Sequence, residues 1–229
     1  MKVQDKYTPR NLDQVIYPNT ATALRIQAFG TRQLEGHVLM WGPNGTAKTS
    51  IAHLLIAAIG GADAAVDDVD YDELLSKPDF TQYIKNSCSL SNLYGQSKFF
   101  ILLNEFDTSR VNPHKLWTAM DQCGNDLMVI ITTNEPMKVH RSIRSRCTEI
   151  EMPAMPAKNV LSRAQQILSS EGLVLPDQQV LHYLMTKQYS GDLRKYFAVL
   201  DELLFLHSTK QPMPPWQAVK PKMTVLSGT

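Results

Sequence analysis

A glycine-rich loop is the clearest sign of chemistry in the sequence. Residues 42–49 read Gly-Pro-Asn-Gly-Thr-Ala-Lys-Thr, the pattern G-x-x-x-x-G-K-[ST] except that Ala47 replaces the last glycine. In such a loop the backbone N–H groups surround phosphate oxygens, the lysine reaches the β- and γ-phosphates, and the threonine hydroxyl ligates Mg²⁺. Ala47 adds a methyl group but keeps its N–H donor. The predicted nucleotide-binding residues are therefore Gly42, Pro43, Asn44, Gly45, Thr46, Ala47, Lys48, Thr49 and Ser50.

A second group of polar residues follows the apolar run Phe99–Leu103, where the chain reads Asn104-Glu105-Phe106-Asp107. Nucleotide hydrolases with such a loop usually place Asp-Glu here: the Asp holds Mg²⁺ through water, and the Glu polarises the attacking water. Glu105 suits the role of base. Asn104 can hold a metal-bound water through its amide oxygen but brings no charge, so we expect weaker Mg²⁺ binding or slower hydrolysis. The alternative is a strand that merely ends in polar residues.

Asn134 follows the next apolar run, in Thr132-Thr133-Asn134. The carboxyl ends of parallel strands meet at one edge of the sheet, so Asn134 is expected beside Glu105, facing the γ-phosphate. An Asx turn before Pro136 explains the same residues equally well.

The elements that must position these residues alternate between strands and helices, which predicts an α/β fold with a parallel sheet flanked by helices. The predicted strands are 37–41, 99–103, 127–132 and an edge strand at 149–152, with a weaker one near 66–71, and the helices are 48–59 and 113–122. From Pro153 onward the pattern is helical only, and three helices predict a small lid domain. The predicted domains are 1–152, 153–207 and a proline-rich tail at 208–229.

The composition limits the kinds of protein this chain can be. Its 229 residues are 43% hydrophobic and 20% charged, which excludes wholesale disorder. The formal net charge of +1 leaves no general basic excess for holding DNA, so contact with nucleic acid must come from a local patch or from several subunits. Three cysteines without metal or disulfide spacing, no signal segment and no long apolar stretch predict an intracellular protein in a reducing compartment such as the cytoplasm.

These motifs together resemble the AAA+ P-loop ATPases and, among them, the clamp-loader subunits. Lys6-Tyr7-Thr8-Pro9-Arg10 is similar to the family's K-Y-R-P segment, Ser145-Arg146-Cys147 matches its S-R-C motif, and Gly191-Asp192-Leu193-Arg194 is similar to sensor 2. The resemblance implies ATP and Mg²⁺ as cofactors, with Tyr7, Pro9, Val15 and Ile16 near the adenine. It also implies that Asn134 is sensor 1, and that the protein acts in the cytoplasm of a bacterial or phage-infected cell.

The resemblance assigns two arginines to catalysis. Arg146 would act in trans on the ATP of a neighbouring subunit, and Arg194 would reach the phosphates from the lid. From the residues alone, Arg146 equally suits a solvated basic face within 138–146. Arg194 could instead pair with Asp192 or Asp201.

The partners implied by the resemblance are other AAA+ subunits in a ring, a sliding clamp, and primer–template DNA contacted through its backbone. Lys77 and Arg110 are the candidate DNA-responsive residues, and ordinary surface charge is the alternative for both. The family's third domain, a helical collar, is not expected in this chain. Two other functions remain open: a nucleotide-binding regulatory or structural subunit with weak hydrolysis, and an AAA+ loader or remodeller of another protein.

Overall fold

The computed structural model describes residues 2–68, 70–77, 79–95, 98–109, 112–186 and 191–216. They form two compact units. The sheet unit contains Thr8–Met155 and Gly191–Leu193, and the helical unit takes the described residues of Met1–Tyr7, Pro156–Ser190 and Arg194–Thr229. The predicted domain limits stay a prediction. Of the proposed tail, residues 217–229 lie outside the described part of the chain.

Five parallel strands form the sheet, in the order β2-β3-β4-β1-β5. Their bounds are β1 His37–Trp41, β2 Val66–Asp68, β3 Phe99–Leu103, β4 Leu127–Thr133 and β5 Cys147–Glu151. The three central strands are apolar because helices cover both faces of a parallel sheet. The predicted α/β fold is confirmed, and the carboxyl ends of β3, β1 and β4 bring the polar residues of the sequence to one edge.

Helices follow or connect these strands. They are α1 Val3–Lys6, α2 Thr20–Gly30, α3 Lys48–Gly60, α4 Tyr71–Ser76, α5 Phe80–Leu93, α6 His114–Cys123, α7 Arg141–Arg144, α8 Ala157–Ser170, α9 Asp177–Met185 and α10 Leu193–Ser208. On one face of the sheet, α2 and α3 pack through residues such as Phe29, Ile51 and Leu55. On the other, α5 and α6 pack through Ile84 and Leu116.

The strand predictions differ from the structure mainly at the sheet edges. The edge strand expected at 149–152 begins two residues earlier, at Cys147, and pairs with β1. The strand expected near 66–71 is only Val66–Asp68. In β2 no residue is buried and in β5 only Ile150 is, so these edge strands carry a weaker apolar signal than the central strands, which are almost entirely buried.

Candidate nucleotide-binding site

The loop 42–47 joins β1 to α3, and two of its glycines are closely packed. A Cβ at Gly42 would lie 2.0 Å from the Met152 carbonyl oxygen, and one at Gly45 would lie 1.8 Å from Oδ1 of Asp192. Both glycines also have positive φ, 149° and 75°. At Gly42 the neighbour is backbone, so that position requires glycine, whereas any other residue at Gly45 would be strained and would have to displace the Asp192 side chain.

Ala47 adopts the left-handed conformation that its glycine counterpart would adopt freely. Its φ of 64° and ψ of 21° place it directly before the first residue of α3. The first N–H groups of an α-helix have no partner within the helix, and the helix dipole is positive at that end. The loop and the start of α3 thus present backbone donors suited to a phosphate group.

Lys48 lies within this loop and is only 8% exposed. Its ammonium group donates to the carbonyl oxygens of Gly42 and Pro43, each at 2.8 Å, and to Oδ1 of Asn134 at 2.9 Å. The structure therefore brings Asn134, from the end of β4, to the lysine of the loop. The role of Asn134 as a sensor stays a prediction, and so does the assignment of Thr49, which is exposed in the first turn of α3.

Asn104 and Glu105 leave the end of β3 beside β4. The Thr132 hydroxyl donates to Oδ1 of Asn104 at 3.2 Å and accepts from the backbone N–H of Glu105 at 3.2 Å. Glu105 is exposed and has a φ of 50°, an uncommon value for a residue other than glycine. This left-handed turn directs the chain away from β3 immediately after Asn104.

Asp68, at the end of the neighbouring strand β2, belongs to none of the motifs in the sequence. Its Oδ1 accepts a 3.2 Å hydrogen bond from Nδ2 of Asn104, and its Oδ2 lies 3.4 Å from Nε2 of His53. The only available signal was the acidic composition of residues 67–72, which is equally typical of a loop.

Arg146 lies between α7 and β5 and is held within its own chain. Its guanidinium contacts both carboxylate oxygens of Asp121 on α6, at 2.6 and 2.5 Å, and donates to the Ser142 carbonyl oxygen at 2.7 Å. The hydrogen bond from this guanidinium lowers the pKa of the Asp121 carboxyl. Arg144 makes a similar two-bond contact with Glu149, at 2.9 and 3.1 Å. Lys138 also contacts Glu135, at 2.7 Å, so three residues of the basic run 138–146 are paired.

The remaining predicted residues are distributed over both units. Pro9, Val15 and Ile16 belong to the sheet unit, whereas Tyr7 and Arg194 belong to the helical unit. Within the helical unit, the Tyr7 hydroxyl contacts Glu171, and Oδ1 of Asp201 accepts from the backbone N–H of Val3.

Residues 191–193, the start of the segment similar to sensor 2, belong to the sheet unit, and so does Lys77. The backbone N–H of Leu193 donates to the Gly45 carbonyl oxygen at 2.8 Å. Lys77 follows α4, with its ammonium 4.9 Å from the centre of the Tyr83 ring. Arg110 lies outside the described residues.

The donors at the sheet edge suit a Mg²⁺ ion that is held mainly by phosphate oxygens. Thr49, Asn104 and Asp68 offer hydroxyl, amide and carboxylate oxygens, which are hard ligands of the kind Mg²⁺ prefers. Across the described ranges, no three His, Cys, Asp or Glu side chains are grouped so as to hold a metal by themselves. Mg²⁺ that is bound with nucleotide needs only one or two protein ligands.

Comparison with known proteins identifies the family. The sequence profile of the AAA family, "ATPase family associated with various cellular activities", matches residues 38–154, just over half of the chain. This chain belongs to the AAA family. The match runs from β1 to the residues after β5, so it includes the loop, the β3 and β4 ends and Arg146.

The predicted likeness to clamp-loader subunits is also confirmed. The chain is 25% identical over 206 residues to replication factor C subunit 3 of Schizosaccharomyces pombe, covering 86% of this chain and 57% of that protein. It is 26% identical over 213 residues to the sliding-clamp-loader large subunit of Enterobacteria phage T4, covering 87% of this chain and 63% of that one. The chain therefore spans about three fifths of the length of these AAA relatives.

The fold also resembles solved AAA structures. RuvB from Thermotoga maritima superimposes with a TM-score of 0.63 at 15% identity, over 90% of this chain and 68% of that one. At this identity the likeness concerns the fold alone. No helix among the described residues is long and apolar enough to cross a membrane.

Proposed function

We propose that this AAA chain binds ATP with Mg²⁺ at residues 42–50 and hydrolyses it as one subunit of a ring that loads a sliding clamp onto primer–template DNA. The observation that carries the nucleotide site is the position of Lys48, buried in its loop and bonded to Asn134. A nearly buried ammonium that donates to two carbonyl oxygens and an amide oxygen is arranged for an anion to take the place of such an acceptor.

The proposed roles follow from the placement of each residue. Bound Mg²⁺ would neutralise phosphate charge and orient the phosphates for in-line attack. Backbone N–H groups at the start of α3 bind the phosphates, and Lys48 exchanges one or more of its present acceptors for a phosphate oxygen. Glu105, exposed beyond β3, accepts a proton from the attacking water. Asn134 senses the γ-phosphate through its contact with Lys48.

Arg146 and Arg194 are proposed to complete the catalytic site of an assembled ring. Arg146 would leave Asp121 and stabilise the transition state in the neighbouring subunit, as arginine fingers do. Arg194 would act on the phosphates of its own chain. The adenine contacts of Tyr7, Pro9, Val15 and Ile16 are part of the same proposal, as are DNA-responsive roles for Lys77 and Arg110.

Nucleotide binding is tested by replacing Lys48. Lys48→Ala removes the charge that faces the phosphates, so the dissociation constant for ATP should rise at least ~10-fold, or about 1.4 kcal/mol. Lys158→Ala, at an exposed position on α8, removes the same charge elsewhere and should leave affinity unchanged. Equal affinity of both variants, with the circular dichroism spectrum of the parent chain, would exclude the proposed site.

Clamp loading is tested by ATP turnover with and without primed DNA and a sliding clamp. Stimulation by both together supports the proposed activity. A second candidate function is a nucleotide-binding subunit with slow turnover, which the neutral Asn104 favours. Tight ATP binding without stimulated turnover would support that alternative, and stimulation by another protein partner would indicate a different AAA remodeller.

A further inference from the structure

Asp68 lies outside the sequence motifs to which roles in nucleotide binding are assigned. It ends β2, where it is paired in register with Leu102 of β3, two residues before Asn104. One carboxylate oxygen accepts from the Asn104 amide at 3.2 Å, and the other lies 3.4 Å from the His53 ring. One oxygen therefore accepts a hydrogen bond from the residue that follows β3, and the other lies close to the His53 ring on α3.

This contact fixes which way the Asn104 amide faces. An ionised carboxylate can only accept hydrogen bonds, so it must meet the NH₂ group of the amide. The amide oxygen then faces Thr132, whose hydroxyl donates to it at 3.2 Å. Thr132 is only 1% exposed, so its position is set by the core of the sheet.

The same hydroxyl connects Asn104 to the proposed base. Thr132 Oγ1 also accepts from the backbone N–H of Glu105 at 3.2 Å. A continuous series of hydrogen bonds thus runs from Asp68 through Asn104 and Thr132 to the backbone of Glu105. Each member has one donor–acceptor arrangement that satisfies its neighbours.

We propose that Asp68 is a positioning residue for the metal side of the nucleotide site, supplying from β2 the negative charge that Asn104 lacks. It orients the Asn104 amide oxygen toward Thr132 and the sheet edge, and it places a carboxylate next to that amide. This inference rests on the proposed function, because it concerns Mg²⁺ bound together with ATP. A neutral residue at position 104 is compatible with metal binding when an anion stands beside it.

The proposal changes what is expected of the substitution Asn104→Asp. Restoring the usual acidic residue would place two carboxylates where an amide and a carboxylate now share a hydrogen bond. Two carboxylates cannot donate a hydrogen bond to each other, and like charges at that separation repel. Asn104→Asp alone should therefore not improve Mg²⁺ binding. Combining it with Asp68→Asn exchanges the charge and the amide between the two positions and should restore the pair.

The experiment measures ATP affinity by equilibrium titration of the full chain in Mg²⁺ and in EDTA. The ratio of the two affinities reports the contribution of the metal without requiring turnover. Asp68→Asn should reduce this ratio by roughly 3- to 10-fold, the range for one charge-assisted contact, with ATP affinity in EDTA unchanged. The double variant Asp68→Asn/Asn104→Asp should recover most of the parent ratio.

Asp67→Asn is the matched control, since it removes the same charge from the adjacent residue. The Asp67 carboxylate accepts from the Tyr83 hydroxyl of α5 at 2.8 Å, away from Asn104. Its ratio should equal that of the parent chain. A merely structural role for Asp68 would leave the double variant as impaired as Asp68→Asn, because a second change at a damaged site does not repair it.

The outcomes separate this inference from the proposed function. If the parent chain binds ATP no better in Mg²⁺ than in EDTA, the role of Mg²⁺ in the proposed function is refuted. If the parent shows the metal effect and Asp68→Asn equals Asp67→Asn, the role of Asp68 is refuted and the proposed function stands. A ratio for Asn104→Asp above that of both the parent and the double variant also refutes it.

Discussion

Replacing Ala47 tests the backbone conformation of the glycine-rich loop 42–47. Its φ of 64° and ψ of 21° lie in the left-handed region. For a residue with a Cβ, this conformation costs about 1–2 kcal/mol relative to the right-handed one. Glycine pays no such steric penalty but loses ~0.5–1 kcal/mol more conformational entropy on folding. Ala47→Gly should therefore raise the free energy of unfolding by about 0.5–1 kcal/mol.

The same substitution at a right-handed position gives a control of opposite sign. Ala57 is exposed in the last turn of α3, the helix that begins directly after Ala47. Ala57→Gly removes a favourable helix former and should lower the free energy of unfolding by about 1 kcal/mol. The two variants should thus differ by about 1.5–2 kcal/mol in urea unfolding followed by circular dichroism, without nucleotide.

Two results would refute this reasoning. If both variants are destabilised to the same extent, residue 47 does not hold a left-handed conformation in the free chain. If Ala47→Gly is stabilised but binds ATP more weakly, the alanine methyl group takes part in ATP binding. This would contradict the expectation that residue 47 binds phosphate through its backbone N–H alone. We expect ATP affinity to change less than ~2-fold, since glycine keeps that donor.

Two further predictions concern Arg146 and His37. Arg146→Ala should bind ATP as the parent chain does, but its assembly-dependent hydrolysis should fall by on the order of 10³-fold. Mixing this variant with Glu105→Gln should restore part of the turnover. If turnover is not restored although the two variants co-assemble, Arg146 is only a surface charge. Burial lowers the pKa of His37 to about 4 from 6.5. Between pH 6.5 and 4, His37 therefore binds a proton in the unfolded chain but not in the folded chain. The free energy of unfolding should fall by up to about 3 kcal/mol as the pH drops from above 6.5 toward 4. His37→Gln should flatten this dependence in urea titrations, and an unchanged slope would contradict it.

The part of the fold that the sequence predicts best is the part with the strongest apolar signal. Strands β1, β3 and β4 consist of continuous apolar residues, because helices cover both sides of the sheet. Helix α5 went unpredicted because Ser and Asn interrupt it and lower its helix propensity. Its buried residues Phe80, Ile84 and Cys88 still repeat every four positions. Tertiary packing, rather than propensity, therefore accounts for this helix.

The same distinction applies to the candidate site. The phosphate loop could be read from the sequence because its chemistry depends on eight consecutive residues. The contact of Asp68 with Asn104 spans 36 positions, and that of Arg146 with Asp121 spans 25. No local pattern encodes such pairs, since the fold brings them together through strand order and helix packing.

The end of β4 joins the two halves of the candidate site. Thr132 lies in β4, and Asn134 directly follows Thr133, the last residue of that strand. Thr132 bonds to Asn104 and to the backbone of Glu105, whereas Asn134 bonds to Lys48. Whether Lys48 keeps or releases Asn134 when it binds a phosphate, Asn134 is attached to β4. The same strand carries Thr132, which bonds to the backbone of the proposed base, Glu105. Binding at the loop and positioning of the base thus share one short segment of backbone, through which each can bias the other.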